Sequence, residues 1–204
     1  MLFRSDTVTQ QNLLSLLRSG EMQEVMEEMS PDDRARLFEE LPAKVVRQLL
    51  DQLSPEERKV TAELLGYEAE TAGRLMTTEY IALKERQTAL EALDIVRRRA
   101  RDTETIYSLY VTDTERRLTG ILSLRDLVTA DPHTLIRDVM TEEVLSVRTD
   151  TDQEKVARTI QRYDFLAVPV VDLEQRLVGI VTVDDVIDVI EQEEIGRASC
   201  RERV

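Results

Sequence analysis

The acidic residues near the end of the chain form its most chemically distinctive pattern. Asp184, Asp185, Asp188 and Glu191 follow one another at helical spacing, and Glu193 comes shortly after them. Carboxylates three and four residues apart on a helix repel one another by about 0.2–0.5 kcal/mol per pair. Either the helix tolerates this cost or a bound cation offsets it. Mg²⁺ suits such a group because it is a hard ion that takes oxygen ligands, usually one or two carboxylates and several waters.

The opposite face of this acidic helix is expected to be apolar. Val186, Ile187 and Ile190 lie between the acids, and we predict that they face the protein interior.

Enzymatic chemistry has little support in the sequence. His133 is the single histidine and Cys200 the single cysteine, so Cys and His cannot supply a zinc site. The chain has no phosphate-binding loop of the G-x-x-x-x-G-K-[ST] type and no nucleophile with a neighbouring base. We therefore predict a regulatory protein that is not an enzyme.

The second half of the chain contains an internal repeat. GILSLRD, which begins at Gly120, aligns with GIVTVDD, which begins at Gly179, and each copy opens with a Met-Thr pair, at Met76 and Met140. The pattern predicts a duplicated β-α-β-β-α unit whose halves pack sheet to sheet about a pseudo-twofold axis. Before the repeated endings, we predict strand, helix and strand at 80–83, 89–99 and 105–111 and at 144–147, 153–162 and 165–171.

The first part of the chain is predicted to be a stack of short helices. Up to about residue 66, Leu and Met recur at three- and four-residue spacing. Ser30 and Ser54 are each followed by proline and two acids, which predicts an N-cap, a proline at the first helical position and acids in the first turn. Residues 67–78 lack a clean period and include Gly73, which can take backbone angles that other residues avoid, so we predict a linker into a second domain.

The charge of the chain limits its direct partners. The 204 residues include 41 acidic and 27 basic side chains, for a net charge of −14. Such a chain repels nucleic acid and anionic lipid, so neither is expected as a direct partner. The longest apolar run, residues 165–171, is far shorter than the roughly 18 residues that span a bilayer. We expect a soluble fragment that does not insert into a membrane by itself.

The last residues look foreign to the rest of the sequence. Residues 194–204, EIGRASCRERV, resemble the in-frame translation of a short-read sequencing adapter. We expect that the natural chain departs from this sequence near Glu193, in which case Cys200 carries no information. The alternative is a genuine disordered basic tail.

The ordered set of motifs resembles a known family. The strand Ala167-Val-Pro-Val-Val-Asp172 and the G-h-h-[ST]-x-x-D endings are similar to CBS domains, which regulate transporters and enzymes. The wider set resembles the cytosolic half of MgtE-type magnesium transporters. The segments that carry this resemblance are AGRLMTTEY at 72–80, ETIY at 104–107, LSLRD at 122–126, ADP at 130–132, DTDQE at 150–154 and VDDVIDVI at 183–190.

The resemblance implies an α+β fold with three domains. These are an N-terminal helical domain at 1–70, a first CBS domain at 71–134, and at 135–193 a second CBS domain with the start of a connecting helix; the foreign tail follows at 194–204. The helical domain is shorter than is usual in the family, and Arg74 replaces a common second glycine. The transmembrane pore domain is missing from this sequence.

The resemblance also implies a function. The chain would be the Mg²⁺ sensor of a homodimeric magnesium channel or transporter, at the cytoplasmic face of the cell membrane, and would close on Mg²⁺ binding to gate its own pore domain. In this family, Mg²⁺ would bridge carboxylates of the helical domain, the CBS pair and the final helix. The implied metal ligands are Asp32, Glu154, Asp164, Asp185, Asp188 and Glu193.

A nucleotide site is the second implication of the CBS resemblance. The [ST]-x-x-D endings can hold the ribose of an adenine nucleotide such as ATP, through Ser123 and Asp126 or Thr182 and Asp185. Arg125 could contact phosphate, and Phe165 could flank the base. The same hydroxyl groups can simply cap the following helices. Two alternatives stay open: an adenine-nucleotide-sensing CBS module, and an adaptor that never had a membrane domain.

Overall fold

The structure, a computed structural model, describes residues 19–187 and 189–190. It divides the chain into two compact units, Met1–Tyr67 and Glu68–Val204. The predicted mixture of a helical region and a duplicated α/β region is confirmed. Each unit is described separately below.

The described part of the first unit consists of short helices, as the spacing of its apolar residues predicted. Proline occupies the first turn of α2 and α4, also as predicted. The two caps differ, however. The Ser54 hydroxyl accepts a hydrogen bond from the Glu57 amide at 3.2 Å, whereas the Ser30 side chain makes no cap hydrogen bond. The helices are α1 (Ser19–Glu28), α2 (Pro31–Glu40), α3 (Ala43–Gln52) and α4 (Pro55–Leu65).

A buried arginine joins two helices of this unit. Arg34 on α2 is fully buried and forms an ion pair with Glu57 on α4. Its guanidinium also donates to the Met29 carbonyl at 2.7 Å and to the Thr61 hydroxyl at 3.2 Å. A buried charge is costly unless it is paired and hydrogen-bonded, so these contacts constrain α2 against α4.

The second unit contains two three-stranded sheets of identical topology. In each sheet the first strand is parallel to the central strand, and the central strand is antiparallel to the third, in the orders β1-β2-β3 and β4-β5-β6. The strands are β1 (Ala82–Lys84), β2 (Ser108–Thr112), β3 (Leu118–Ser123), β4 (Val147–Arg148), β5 (Ala167–Val171) and β6 (Leu177–Thr182). The helices are α5 (Ala72–Leu75), α6 (Ala89–Arg99), α7 (Leu124–Thr129), a 3₁₀ turn (Ile136–Asp138), α8 (Gln153–Tyr163) and α9, which is helical at 183–187 and 189–190.

The predicted linker is an integral part of the second unit. Thr71, Ala72 and Gly73 are buried, and α5 forms where no period was visible in the sequence. Gly73 does not use the conformational freedom of glycine, because no described glycine has a positive φ. Gly73 instead donates its amide to the Thr149 carbonyl of the second repeat at 2.9 Å. The local sequence could not show this, because the hydrogen-bond partner is distant along the chain.

Each repeat is completed by the segment that opens the other repeat. Thr77, which precedes the first sheet, exchanges two hydrogen bonds with Ile180 on β6, at 2.9 and 3.0 Å. Thr141, which precedes the second sheet, exchanges two hydrogen bonds with Ile121 on β3, at 2.8 and 2.9 Å. Both opening segments thus add an antiparallel bridge to the sheet of the opposite repeat. The predicted pseudo-twofold arrangement is present in the backbone.

Two glycines make this exchange sterically possible. The Met140 side chain lies over Gly120, and the Met76 side chain lies over Gly179. A methyl group on Gly120 would lie 2.6 Å from Met140 Sδ and 3.3 Å from the Thr141 carbonyl oxygen. A methyl group on Gly179 would lie 2.5 Å from Met76 Sδ and 2.8 Å from the Thr77 carbonyl oxygen. The missing side chains therefore provide the space in which the crossing segments lie.

The two sheets share an apolar core that includes an isolated hydroxyl group. Tyr110 on β2 is fully buried with Ala167, Leu177 and Ile180 of the second repeat. Tyr80 packs edge-on against it, with ring centroids 6.2 Å apart, and donates to the Leu177 carbonyl at 3.0 Å. The Tyr110 hydroxyl has no hydrogen-bond partner among the described residues, and burial raises its pKa.

The buried face of α9 differs from the predicted face. Val186 and Val189 are buried, and so is Asp185. Ile187, which was predicted to face the interior, is 46% exposed, so that prediction was wrong. The helix begins directly from β6, and the direction of that strand selects the buried face independently of the apolar pattern.

The glycine contacts generate a prediction about stability. We expect Gly179→Ala to lower the free energy of unfolding by about 2–3 kcal/mol and Gly120→Ala by about 1 kcal/mol, since overpacking typically costs about 1–3 kcal/mol. The Met side chains can shift away from a new methyl group, but the Thr77 carbonyl belongs to a hydrogen-bonded bridge and cannot. Urea unfolding followed by circular dichroism would measure both changes. Equal losses, or a larger loss for Gly120→Ala, would contradict this steric account.

Candidate metal and nucleotide sites

A hydroxyl–carboxylate pair lies at the start of the last helix in each repeat. The Ser123 hydroxyl, at the end of β3, lies 2.5 Å from Asp126 Oδ2 and accepts from the Asp126 amide at 3.1 Å. The Thr182 hydroxyl, at the end of β6, donates to Asp185 Oδ2 at 2.6 Å. The CBS resemblance implied both pairs, and the structure brings the members of each pair into direct contact.

The two pairs differ in their environment. Asp126 is exposed and Ser123 is half-buried. In the second repeat, Thr182 and Asp185 are only 5% and 8% exposed. A ligand in solution can therefore reach the first pair directly, whereas the second pair is enclosed by the protein.

The other predicted nucleotide contacts lie on two different repeats. Arg125 is exposed on the first turn of α7, beside Asp126. Phe165 follows α8 and is half-buried, and its ring stacks on Tyr163 with centroids 5.5 Å apart. The Arg162 guanidinium lies 5.6 Å from the centre of the Tyr163 ring. Sequence reasoning missed this stack, although the Tyr-Asp-Phe run at the end of a predicted helix was the available signal.

The predicted metal ligands occupy unlike environments. Asp32 lies in the first turn of α2 and is 6% exposed, and Asp185 is similarly buried. Glu154 lies in the first turn of α8, where Arg158 donates to Glu154 Oε2 at 2.6 Å. Of the other three, Asp164 ends α8, and Asp188 and Glu193 lie outside the described residues.

Asp164 terminates α8 in an unusual backbone conformation. Its φ of 54° and ψ of 42° are left-handed, a region in which glycine is the favoured residue. Aspartate tolerates this region better than most side chains, because its short polar group can form local hydrogen bonds. The Asp164 carboxylate is exposed at the end of the helix.

The predicted metal ligands carry the type of donor atom that Mg²⁺ prefers. They offer carboxylate oxygens, which a hard divalent ion prefers. Among the described residues, no group of three or more His, Cys, Asp or Glu side chains is already arranged to hold a metal ion. A Mg²⁺ ion on these side chains would therefore use one or two carboxylates and keep most of its water ligands.

Family profiles match nearly the whole chain. The MgtE intracellular N domain matches residues 3–70, and the CBS domain matches residues 72–133 and 136–192. The fold and these matches define the class of protein: a tandem pair of CBS domains that follows a helical MgtE N domain.

Solved structures of high similarity have the same organisation. The cytosolic domain of the Mg²⁺ channel MgtE, crystallised in complex with ATP, gives a TM-score of 0.89 at 46% identity over 92% of this chain and 77% of that chain. The soluble part of a magnesium transporter gives 0.86 at 45% identity over 89% and 71%. The chain belongs to the MgtE family of magnesium transporters. This agrees with the prediction of a protein that is not an enzyme.

Curated relatives extend well beyond this region. The magnesium transporter MgtE of Thermus thermophilus is 54% identical over 147 residues, which are 72% of this chain and 33% of that protein. The Bacillus subtilis MgtE is 42% identical over 168 residues, which are 82% of this chain and 37% of that protein. The chain thus spans about a third of the length of these relatives. No helix in its described part combines the length and the apolar character needed to cross a bilayer.

The left-handed conformation of Asp164 can be tested by substitution. We expect Asp164→Gly to raise the free energy of unfolding by about 0.5–1 kcal/mol, and Asp164→Ala to lower it by about 1 kcal/mol. Asp164→Asn should leave stability nearly unchanged, because asparagine also tolerates this conformation. Thermal and urea unfolding would measure all three variants, and Asp164→Asn then isolates the role of the charge. A glycine variant less stable than the original protein would show that the side chain is needed structurally.

Proposed function

We propose that this chain is the Mg²⁺-sensing regulatory region of a magnesium channel or transporter. The main support for this proposal is the match to the MgtE cytosolic domain. In addition, the chain has an acid at every position where the family resemblance implies a metal ligand. The region would lie at the cytoplasmic face of the membrane and would gate a pore formed by another part of the protein. Several apolar runs of about 20 residues in the natural chain after Glu193 are expected, and their absence would favour an adaptor.

Charge supplies the physical basis of the proposed response. A net charge of −14 makes the carboxylates repel one another at low Mg²⁺. Bound Mg²⁺ supplies positive charge that favours a compact, closed state. Glu154 must exchange its ion pair with Arg158 for the metal, and an exposed pair of this kind contributes only about 0.3–0.5 kcal/mol. Weak binding suits a sensor, since its sites must empty when the ion becomes scarce.

The helix α9 is the element through which closure would reach the pore. It carries Asp185, and the last of the proposed ligands, Asp188 and Glu193, follow Asp185 in the sequence. The buried Val186 and Val189 fix the start of this helix to the second repeat. Metal binding at Asp185 would therefore act on a helix that is firmly attached to the sensor.

A homodimer is part of the same proposal. Val128 on α7 and Ile187 on α9 occupy equivalent positions of the two repeats and are 60% and 46% exposed. Exposed apolar residues at equivalent positions of two helices are consistent with a surface that a second copy covers. Sedimentation in the Mg²⁺ series described next would report the oligomeric state.

The Mg²⁺ proposal predicts a protection experiment. Millimolar Mg²⁺ should make the chain more compact and more resistant to limited proteolysis. The double variant Asp185→Asn, Asp188→Asn should raise the Mg²⁺ concentration at half protection by about tenfold or more. Substituting a residue that only supports a metal ligand commonly weakens metal binding about tenfold, so substituting the ligands themselves should cost at least as much. Asp184→Asn is the matched control, since Asp184 is an exposed acid on the same helix and no proposed ligand.

The outcome separates two classes of function. If Mg²⁺ leaves the original chain unchanged while ATP alters its compactness, the magnesium-sensor proposal is wrong and the nucleotide-sensing alternative is favoured. If Asp184→Asn weakens the response as much as the double variant, the effect belongs to net charge and not to these ligands.

ATP binding is a second proposed function, favoured by the exposure of the first hydroxyl–carboxylate pair. A similar MgtE cytosolic domain was crystallised with ATP. In this chain, Ser123 and Asp126 would contact the ribose, Arg125 the phosphates and Phe165 the base. The exposed Asp126 carboxylate is available for this role without any change in the fold.

This second function predicts a loss of nucleotide affinity on substitution. Asp126→Ala should weaken ATP binding by about tenfold, because a hydrogen bond to a charged group contributes about 1.5–3 kcal/mol. Asp94→Ala removes a carboxylate on α6 that pairs with Arg97 and is no proposed ATP contact, so it should leave ATP binding unchanged. Titration calorimetry in the absence of Mg²⁺ measures both. Unchanged affinity in Asp126→Ala would exclude this site.

A further inference from the structure

The hydroxyl–carboxylate pair of the second repeat has a different role from its counterpart. We propose that Thr182 is a positioning residue that orients Asp185 for metal binding, and that it does not contact a nucleotide ribose. This inference rests on the proposed Mg²⁺ function of Asp185. It assigns the two equivalent pairs of the repeats to two different ligands.

The first reason for assigning the Thr182–Asp185 pair to metal and not to a nucleotide is its limited exposure to solvent. A ribose hydroxyl must reach the Thr182 and Asp185 oxygens, and these residues are only 5% and 8% exposed. The equivalent Asp126 is exposed, although its hydrogen bond to Ser123 has nearly the same length. A nucleotide can therefore reach the hydroxyl–carboxylate pair of the first repeat but not that of the second.

The second reason for this assignment is the hydrogen bond between Thr182 and Asp185. A hydroxyl group has a single proton, and Thr182 donates it to Asp185 Oδ2 at 2.6 Å. This is the usual length of a hydroxyl–carboxylate bond, which is about twice as strong as a neutral one. The bond fixes the position of this carboxylate oxygen.

The third reason for assigning this pair to metal is the rigidity of the Thr182 side chain. Its backbone is paired with Ala167 in the antiparallel ladder of β5 and β6. A β-branched side chain has restricted rotation about its first bond, so the hydroxyl is held in one place. Mg²⁺ demands nearly ideal octahedral geometry, and a ligand that is already oriented loses less conformational freedom on binding.

Substitution of the hydroxyl tests the role of Thr182. Thr182→Val keeps the shape and the strand preference of the side chain but removes the donor. We expect the Mg²⁺ concentration at half protection to rise by about tenfold or more, in line with the loss of one hydrogen bond to a charged group. Thr182→Ser, which retains the hydroxyl, should restore most of the response. Thr119→Val is the control and should leave the response unchanged, because the Thr119 hydroxyl on β3 donates to the Val111 carbonyl at 3.4 Å and not to a proposed ligand.

A double-variant cycle distinguishes positioning from a general packing effect. If Thr182 acts through Asp185, Thr182→Val should have no further effect on the Mg²⁺ response when Asp185→Asn is already present. Additive effects would overturn the proposal, as would a Thr182→Ser variant that behaves like Thr182→Val. Circular dichroism on each variant confirms that the comparison is made on folded protein. If Thr182→Val does not fold, Thr182→Ala, which also removes the donor, is measured in the two Asp185 backgrounds and must meet the same expectation.

Nucleotide binding provides the complementary measurement. Calorimetry with ATP should give the same affinity for Thr182→Val as for the original chain, whereas Ser123→Ala should weaken it. A loss of ATP affinity in Thr182→Val would overturn the assignment of this pair to metal. Absence of any Mg²⁺ response in the original chain would instead contradict the proposed sensor function itself, so the two failures are distinguishable.

Discussion

The reciprocal exchange of opening segments between the two repeats is the constraint on which the second unit depends. Thr77 is hydrogen-bonded to the last strand of the second repeat, and Thr141 to the last strand of the first. The exchange requires backbone and Met side chains to approach Gly120 and Gly179 more closely than any other residue type would permit. Neither repeat has a complete sheet edge without the other. The positions of α7 and α9, and of the candidate residues on them, therefore follow from the pairing of the repeats.

Similar backbones with different surroundings allow one motif to serve two purposes. The Ser123–Asp126 and Thr182–Asp185 pairs have the same spacing and nearly the same hydrogen-bond length. Their difference lies in what covers them, since the first pair faces solvent and the second is enclosed. Duplication thus supplied two copies of a local structure, and the tertiary environment gave each copy a different accessibility.

The proposed regulation fits the electrostatic character of the chain. A strongly acidic protein gains stability from cations that reduce its internal repulsion, and a sensor needs that gain to be small and reversible. The residues proposed as ligands are consistent with this need. Glu154 already has an exposed cationic partner in Arg158, and Asp164 has a conformation in which glycine would be more stable. The Asp164 position gives up some stability and leaves its carboxylate at the surface.

Local patterns predicted much of the secondary structure. The bounds of α6 agree with the predicted 89–99, and α8 extends one residue beyond its predicted end. Both helices have strong local signals. Thr88 and Glu91 form a capping box before α6, and Asp152 caps α8. The strands were less well predicted, since β2 and β5 begin later than expected. The Tyr107 and Leu166 carbonyls before them instead accept hydrogen bonds from the first turns of α7 and α9.

The sequence by itself determined the repeat, the helical first unit, the family and the candidate residues, because these depend on spacing and residue type along the chain. The tertiary structure alone decided which candidates are enclosed and which are accessible. The 67–78 segment became part of the fold because its hydrogen-bond partners lie in the second repeat. Ile187 became exposed and Asp185 buried because β6 sets the orientation of α9. Burial depends on contacts between residues distant in sequence, and no local pattern records them.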